Sequence, residues 1–140
     1  MEVNYLNSCS QKYISSQSFL KNINQDVLSF IYDQEYSKKI IVSANYSFLS
    51  EKVANLLKIE TCISINLETS NGKYSGDILG QIPFGKEKIS VISDFINNKY
   101  YNKTIGIGDS KSDLPFLKYL DEGYLITFDR SSNKSTIIRV

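Results

Sequence analysis

The sequence predicts an α/β fold with a mainly parallel sheet flanked by helices, and three observations carry that expectation. Short β-branched runs, "KKIIVSAN", "KTIGIG" and "GYLITF", recur along the chain. Between them stand segments whose apolar residues repeat at helical spacing. Such alternation is what parallel strands joined by crossing helices require. Small polar clusters, "SAN", "GDSKSD" and the lysines of "FGKEK", fall at or near strand ends, where the sites of such folds form.

Each element has its own justification. Residues 1 to 22 are rich in Ser, Asn, Gln and Tyr, with apolar positions too scattered to define an element. They read as a loosely specified polar arm, compatible with helix, ahead of a core spanning residues 23–140. From Asn24, "NQDVLSFIYD" places Val27, Leu28 and Ile31 on one helical face, with Asn24 as the N-cap. "KKIIVSAN" is a strand ending in small polar residues. After a loop, "YSFLSEKVANLLKI" is a helix whose core face is Leu49, Val53, Leu56 and Leu57. "TCISINLETSNGKYSGDI" alternates at Ile63, Ile65 and Leu67 before reaching Asn71-Gly72, which predicts a hairpin near residues 63–78.

In "KEKISVISDFINN", Ile89, Ile92 and Ile96, with Val91 and Phe95 beside them, form an amphipathic helix face. "KTIGIG" is a strand, "SDLPFLKYL" a helix with Pro115 suited to its first turn, "GYLITF" a strand, and "NKSTIIRV" a closing strand.

Composition narrows the function. A chain of 140 residues with 41% hydrophobic and 22% charged residues reads as one ordinary globular domain. Sixteen basic residues balance fifteen acidic ones and never form a block, so neither nucleic acid nor a membrane surface is expected as a partner. The chain contains no histidine, and its two cysteines, Cys9 and Cys62, stand far apart. A zinc site of the usual kind and any histidine-based acid/base pair are excluded. Cys62, inside "TCISINL", reads as a small core hydrophobe. No apolar run approaches the ~20 residues of a membrane span, and "MEVNYLNSCSQKYISS" lacks the core of a signal peptide, so a cytoplasmic location is expected. The ten tyrosines, Tyr100-Tyr101 among them, read as scattered surface and core positions.

"TIGIGDSKSDLPFLKYL" holds the strongest chemical signal. Asp109 and Asp113 are four residues apart, a little over one helical turn, at the end of a strand. Both would serve as capping residues of a following helix. Held close together, they would instead need a cation. Ser110 and Ser112 read as turn residues and Lys111 as solvated. "GDSKS" is no Walker-type phosphate loop, because it lacks the glycine before lysine and sets Asp109 against the phosphates.

In this order and spacing, the segments from Asn24 to Ile126 resemble the haloacid dehalogenase (HAD) superfamily, within it the phosphoserine-phosphatase-like branch. "IIVSAN" is similar to the second family motif, in which a Ser or Thr at a strand end holds the substrate phosphate; Ser43 is that residue here. "SNGKYSGDILGQIPFGKEKISVI" resembles the hairpin and helix start that carry the family lysine. "IGDSKSDLPFL" resembles the fourth motif, whose first aspartate binds Mg²⁺ and whose second supports the metal and its waters.

The resemblance implies a HAD-like, Rossmann-type core and a Mg²⁺-dependent phosphate-monoester phosphatase acting on a small phosphorylated molecule. Ser43 and Lys88 would bind phosphate, and Asp109 and Asp113 would hold Mg²⁺. Such a site suits a dianionic phosphate, which calls for a hard cation, a lysine and short donors. Asn45 would lend an amide to the phosphate or cap the next helix. Lys86 and Lys88 diverge in direction, and the family spacing favours Lys88.

One family motif is missing. The resemblance implies an aspartate nucleophile and an acid/base aspartate in a "DxDx[TV]" pattern ending a central first strand, and no two aspartates of this chain stand two apart. Asp33 to Glu35 ends a helical segment and Asp129 comes after the sheet. "VNYLNSC", with Asn7 and Cys9 at the aspartate positions, is too short and polar for a central strand. The first strand and the cap are thus expected to be absent or degenerate, with residues 1–22 as a cap remnant. Three outcomes are expected of such a chain: a truncated phosphatase inactive alone, half of a split phosphatase whose partner chain supplies the missing strand, or a non-catalytic phosphate-binding or protein-interaction module.

Overall fold

The computed structural model describes residues 1–34, 38–98, 101–132 and 134–140. Glu35 and Tyr100, named above, lie outside the described residues. The chain divides into two units, one built from residues 1–23 and 35–83, the other from 24–34 and 84–140. Among the described residues no helix is long and apolar enough to cross a membrane.

The first unit opens with α1 (Val3–Ile14) and α2 (Gln17–Lys21). Where the sequence shows only scattered apolar positions, a helix forms because Leu6, Ser10 and Ile14 repeat every four residues; Ser10 and Ile14 are buried. The Ser10 hydroxyl donates to the Leu6 carbonyl, so the polar member of the stripe is satisfied within its own helix. "VNYLNSC" is therefore helix and not a decayed strand.

Next come β1 (Ile40–Tyr46) and α4 (Ser47–Leu56), the intervening α3 (Gln25–Tyr32) belonging to the second unit. The strand runs into the helix with no loop between them, which departs from the expected strand, loop and helix. The buried face of α4 is also displaced: Ser50 and Ala54 are buried, whereas Leu56, expected in the core, is 41% exposed. α4 packs against β1, β2 and α1, and small buried residues let a helix approach its neighbours closely.

β1 pairs in parallel with β2 (Thr61–Ser70), and β2 pairs antiparallel with β3 (Lys73–Leu79). Asn71 and Gly72 both take positive φ, 51° and 74°, as a two-residue hairpin turn demands. Ile65 is buried at the middle of β2, and burial pushes the neighbouring Cys62 thiol above its ordinary range, which keeps it protonated.

In the second unit, α3 (Gln25–Tyr32) begins at Asn24, whose side chain accepts from the backbone N–H groups of Asp26 and Val27. The same side chain donates to Ser135, and Phe30 meets the Tyr124 ring at 4.8 Å. α5 (Glu87–Asn97) buries Ile92. β4 (Ile105–Gly108) pairs in parallel with β5 (Glu122–Asp129), which pairs antiparallel with β6 (Lys134–Arg139). Each sheet thus combines one parallel and one antiparallel pair.

Between β4 and β5 the chain forms a 3₁₀ turn (Lys111–Asp113) and α6 (Leu114–Tyr119), with Pro115 in the first turn. Phe116 and Leu117 of α6 are buried. Gly123 lets β5 pass beneath α6, because a Cβ there would run into the Leu117 backbone carbonyl.

Candidate functional site

In the first unit, Ser43 and Asn45 lie where the pairing of β1 with β2 is interrupted. Val42 is opposite Ile63 and Tyr46 is opposite Ile65, so four steps along β1 match two along β2. The surplus forms a bulge at residues 43–45. Bulges of this kind re-aim side chains at strand ends. The Ser43 hydroxyl oxygen accepts from the Asn45 backbone N–H at 3.1 Å, which fixes its position. Asn45 does not cap the following helix; Tyr46 holds the N-cap position, and its side chain makes no capping bond. The start of α4 therefore presents N–H groups that the cap side chain leaves unsatisfied, the arrangement that suits an anion.

The second unit brings together Lys88 and Asp113. Lys88 is the second residue of α5, entered through a turn in which its N–H bonds the Gly85 carbonyl. Its ammonium meets Asp113 Oδ1 at 2.5 Å, the two side chains retaining only 15% and 8% of their exposure. The Phe116 ring lies 5.9 Å from the same ammonium and adds a cation–π contact. Lys86, two residues earlier, is exposed.

Asp113 precedes α6 at its N-cap position yet makes no capping bond; its carboxylate serves the lysine instead. Its second oxygen accepts from Ser110 at 3.4 Å, and Ser110 in turn shares a hydrogen bond with Ser112. The carboxylate lies so close to β4 that a Cβ on Gly108 would collide with it. Asp109 differs from Asp113 in being exposed, and among the described residues it makes no ion pair or side-chain hydrogen bond.

Two carboxylates with adjoining hydroxyls are hard oxygen donors. Mg²⁺ commonly takes one or two carboxylates and fills its remaining positions with water and substrate oxygens. The donor set fits it, with Asp109 carrying the uncompensated charge and Asp113 already balanced by Lys88. Among the described residues there is no group of three or more His, Cys, Asp or Glu that would make a cage for a softer or larger ion. Reading the sequence for chemistry alone passed over Gly108 and Phe116. The glycine directly before Asp109 was the available signal for the first, and no local signal exists for the second.

Comparison with known proteins bears on the family and the fold. Residues 17–118 match the family described as haloacid dehalogenase-like hydrolase. A histidinol-phosphatase of Neisseria meningitidis serogroup C (strain 8013) is 29% identical over 101 residues, covering 68% of this chain and 46% of that protein. A Bordetella pertussis Tohama I protein of unknown function superimposes with a TM-score of 0.76 at 15% identity, over 89% of this chain and 58% of the other. A substrate-bound phosphoserine phosphatase gives 0.54 at 20% identity, over 74% of this chain and 49% of its own. The chain spans about half the length of these relatives.

Proposed function

Because the chain belongs to the haloacid dehalogenase-like hydrolase family, we propose that it forms the phosphate- and Mg²⁺-binding part of a phosphate-monoester phosphatase. We also propose that these 140 residues bind without turning over. The observation that supports this reading best is the buried Lys88–Asp113 ion pair, with Asp109 exposed directly after β4 in the same unit. It supplies a fixed cation for phosphate oxygens and a free carboxylate for a metal.

Asp109 and Asp113 would hold Mg²⁺, which when bound supplies positive charge against the phosphate oxygens. Lys88 neutralises phosphate charge while Asp113 holds it in place. Within the first unit, Ser43 would donate its hydroxyl to a phosphate and Asn45 offer its amide. Similarity to a histidinol-phosphatase, and a fold shared with a phosphoserine phosphatase, support a phosphate monoester as substrate class.

Magnitude argues against turnover. Phosphate-monoester hydrolysis needs accelerations of up to ~10²¹-fold, and a covalent route requires a carboxylate free to form an aspartyl phosphate. Asp109 and Asp113 are committed to metal and lysine, and no DxD pattern occurs in the chain.

A second reading, completion by a strand from a partner chain, is favoured by the sheet edges. β1 and β4 each end a sheet, each pairs in parallel on one side, and Ile40–Val42 and Ile105–Gly108 carry neither charge nor proline. Such edges accept another strand.

Titration calorimetry with inorganic phosphate, with and without Mg²⁺, tests the proposal beside a turnover assay on p-nitrophenyl phosphate. The expected result is Mg²⁺-dependent binding, weakened about tenfold or more in Ser43→Ala and in Asp109→Ala, with no turnover. Turnover that vanishes in Asp109→Ala would overturn the inactivity. Absence of both phosphate and Mg²⁺ binding would leave only a role in protein association.

A further inference from the structure

We infer that the phosphate monoester recognised here carries a flat aromatic or heteroaromatic ring in its leaving group, and that Tyr46 is the residue that selects it. The inference rests on the assignment of Ser43 as a phosphate donor and deepens it.

Three observations within the first unit carry the argument. Tyr46 stacks on Phe48, with ring centroids 5.5 Å apart and planes 16° from parallel, and Phe48 meets Tyr74 at 5.7 Å. The Tyr46 ring is thus held in place from one side, yet 44% of the residue remains exposed. An aromatic ring positioned in advance and open to solvent is a platform on which a second ring stacks at little entropic cost.

Capping does not account for the tyrosine. Tyr46 occupies the N-cap of α4 and makes no capping bond, although Ser, Thr, Asp and Asn are the residues that stabilise that position. The side chain serves the helix only by stacking on Phe48, and 44% of the residue is left open to solvent.

Reach completes the case. Tyr46 follows Ser43 by three residues, which span at most about 10 Å, and the bulge between them shortens that span. A phosphate accepting from Ser43 therefore places a ring, joined through a link of one or a few atoms, within reach of the Tyr46 face. Tyr46, Phe48 and Tyr74 bring no formal charge to the platform, which suits a planar leaving group over a strongly ionic one.

The test is calorimetric, on the full chain with Mg²⁺, and compares phenyl phosphate, cyclohexyl phosphate and inorganic phosphate. The two esters differ in the flatness and π-face of the ring at similar apolar size. The wild-type chain should bind phenyl phosphate about three- to tenfold more tightly than cyclohexyl phosphate. Tyr46→Phe should keep that ratio and Tyr46→Leu should bring it to unity. Equal affinities for the two esters in a chain that does bind inorganic phosphate would overturn the inference while sparing the phosphate assignment. A ratio unchanged in Tyr46→Leu would overturn it as well. Failure to bind inorganic phosphate would bring down both, and the wild-type ratio decides the matter even if a variant does not fold.

Discussion

Ser43 and Asn45 owe their geometry to a bulge inside a single strand, whereas Lys88 and Asp113 stand 25 residues apart and meet because α5 and α6 pack together. In the first unit the polar groups are neighbours in sequence, and the hydrogen bond between them closes a short local loop. In the second, a charge from one helix start is buried against a carboxylate held by the turn before another helix. The first arrangement costs little to form and contributes little to stability. The second is tied to the folding of its whole unit, because each charge depends on the other once both are out of water.

The largest expected effect is on that ion pair. Lys88→Ala leaves the Asp113 carboxylate buried without its cation and should cost about 3–5 kcal/mol. Ser43→Ala, which removes one partly exposed acceptor, should cost about 1 kcal/mol or less. Urea denaturation of both variants makes the comparison. A Lys88→Ala cost below about 1 kcal/mol would show the pair to be screened by solvent and would erase the contrast. The double variant Lys88→Met/Asp113→Leu should recover most of the loss, as an apolar pair of similar volume can.

A smaller effect contrasts close packing with turn conformation. Gly123→Ala and Gly108→Ala in the second unit force side-chain or backbone shifts and should each cost about 1–3 kcal/mol. Gly108→Ala should in addition weaken phosphate binding, because it pushes on the Asp113 carboxylate that holds Lys88. In the first unit, Gly72→Ala meets no neighbouring atom and suffers only from its φ of 74°, so its cost should be about 1 kcal/mol. Denaturation midpoints ranked in that order would sharpen the comparison; equal midpoints would break it.

The smallest effect concerns acid. Asp121 accepts from both the hydroxyl and the backbone N–H of Thr104, and these donors hold its carboxyl below the usual range. Donation from Ser131 and Ser132 brings Asp129 down to about 2, and a Lys103 partner lowers Glu122. A carboxyl depressed in the folded state binds its proton less readily than in the unfolded chain. The stability it contributes is complete above the ordinary carboxylate range and is lost as pH falls through the lowered folded values. The second unit should therefore lose stability between the ordinary carboxylate range, near pH 4, and about pH 2. Thr104→Val, which deletes one donor to Asp121, should make that loss shallower, a change readable by carboxylate titration in NMR and by acid melting. An unchanged titration of Asp121 would refute the assignment.

Much of this architecture was legible in the residues. Asn24 as a helix cap, Asn71-Gly72 as a hairpin turn, Pro115 at a first turn and the β-branched strands all follow from backbone preferences that act within a few positions. That Lys86 and Lys88 diverge followed from their spacing at a helix start, while the preference for Lys88 came from the family resemblance alone. The helix over Val3–Ile14 was not legible, because its buried stripe includes a serine. Nor was the displaced face of α4, where the leucines suggested one core and the packing of the unit buries Ser50 and Ala54 instead.

By itself, then, the sequence determined the α/β class, the order and type of the elements from Asn24 onward, the resemblance to the family and the absence of a DxD pattern, since all of these are written in adjacent residues or in their spacing. Only the tertiary structure decided that Asp113 receives the lysine while Asp109 stays open, and that the strand at Ser43 bulges. Those outcomes depend on which surfaces meet across the chain, and burial, not local preference, sets the energy of a charge once its partner comes from 25 residues away.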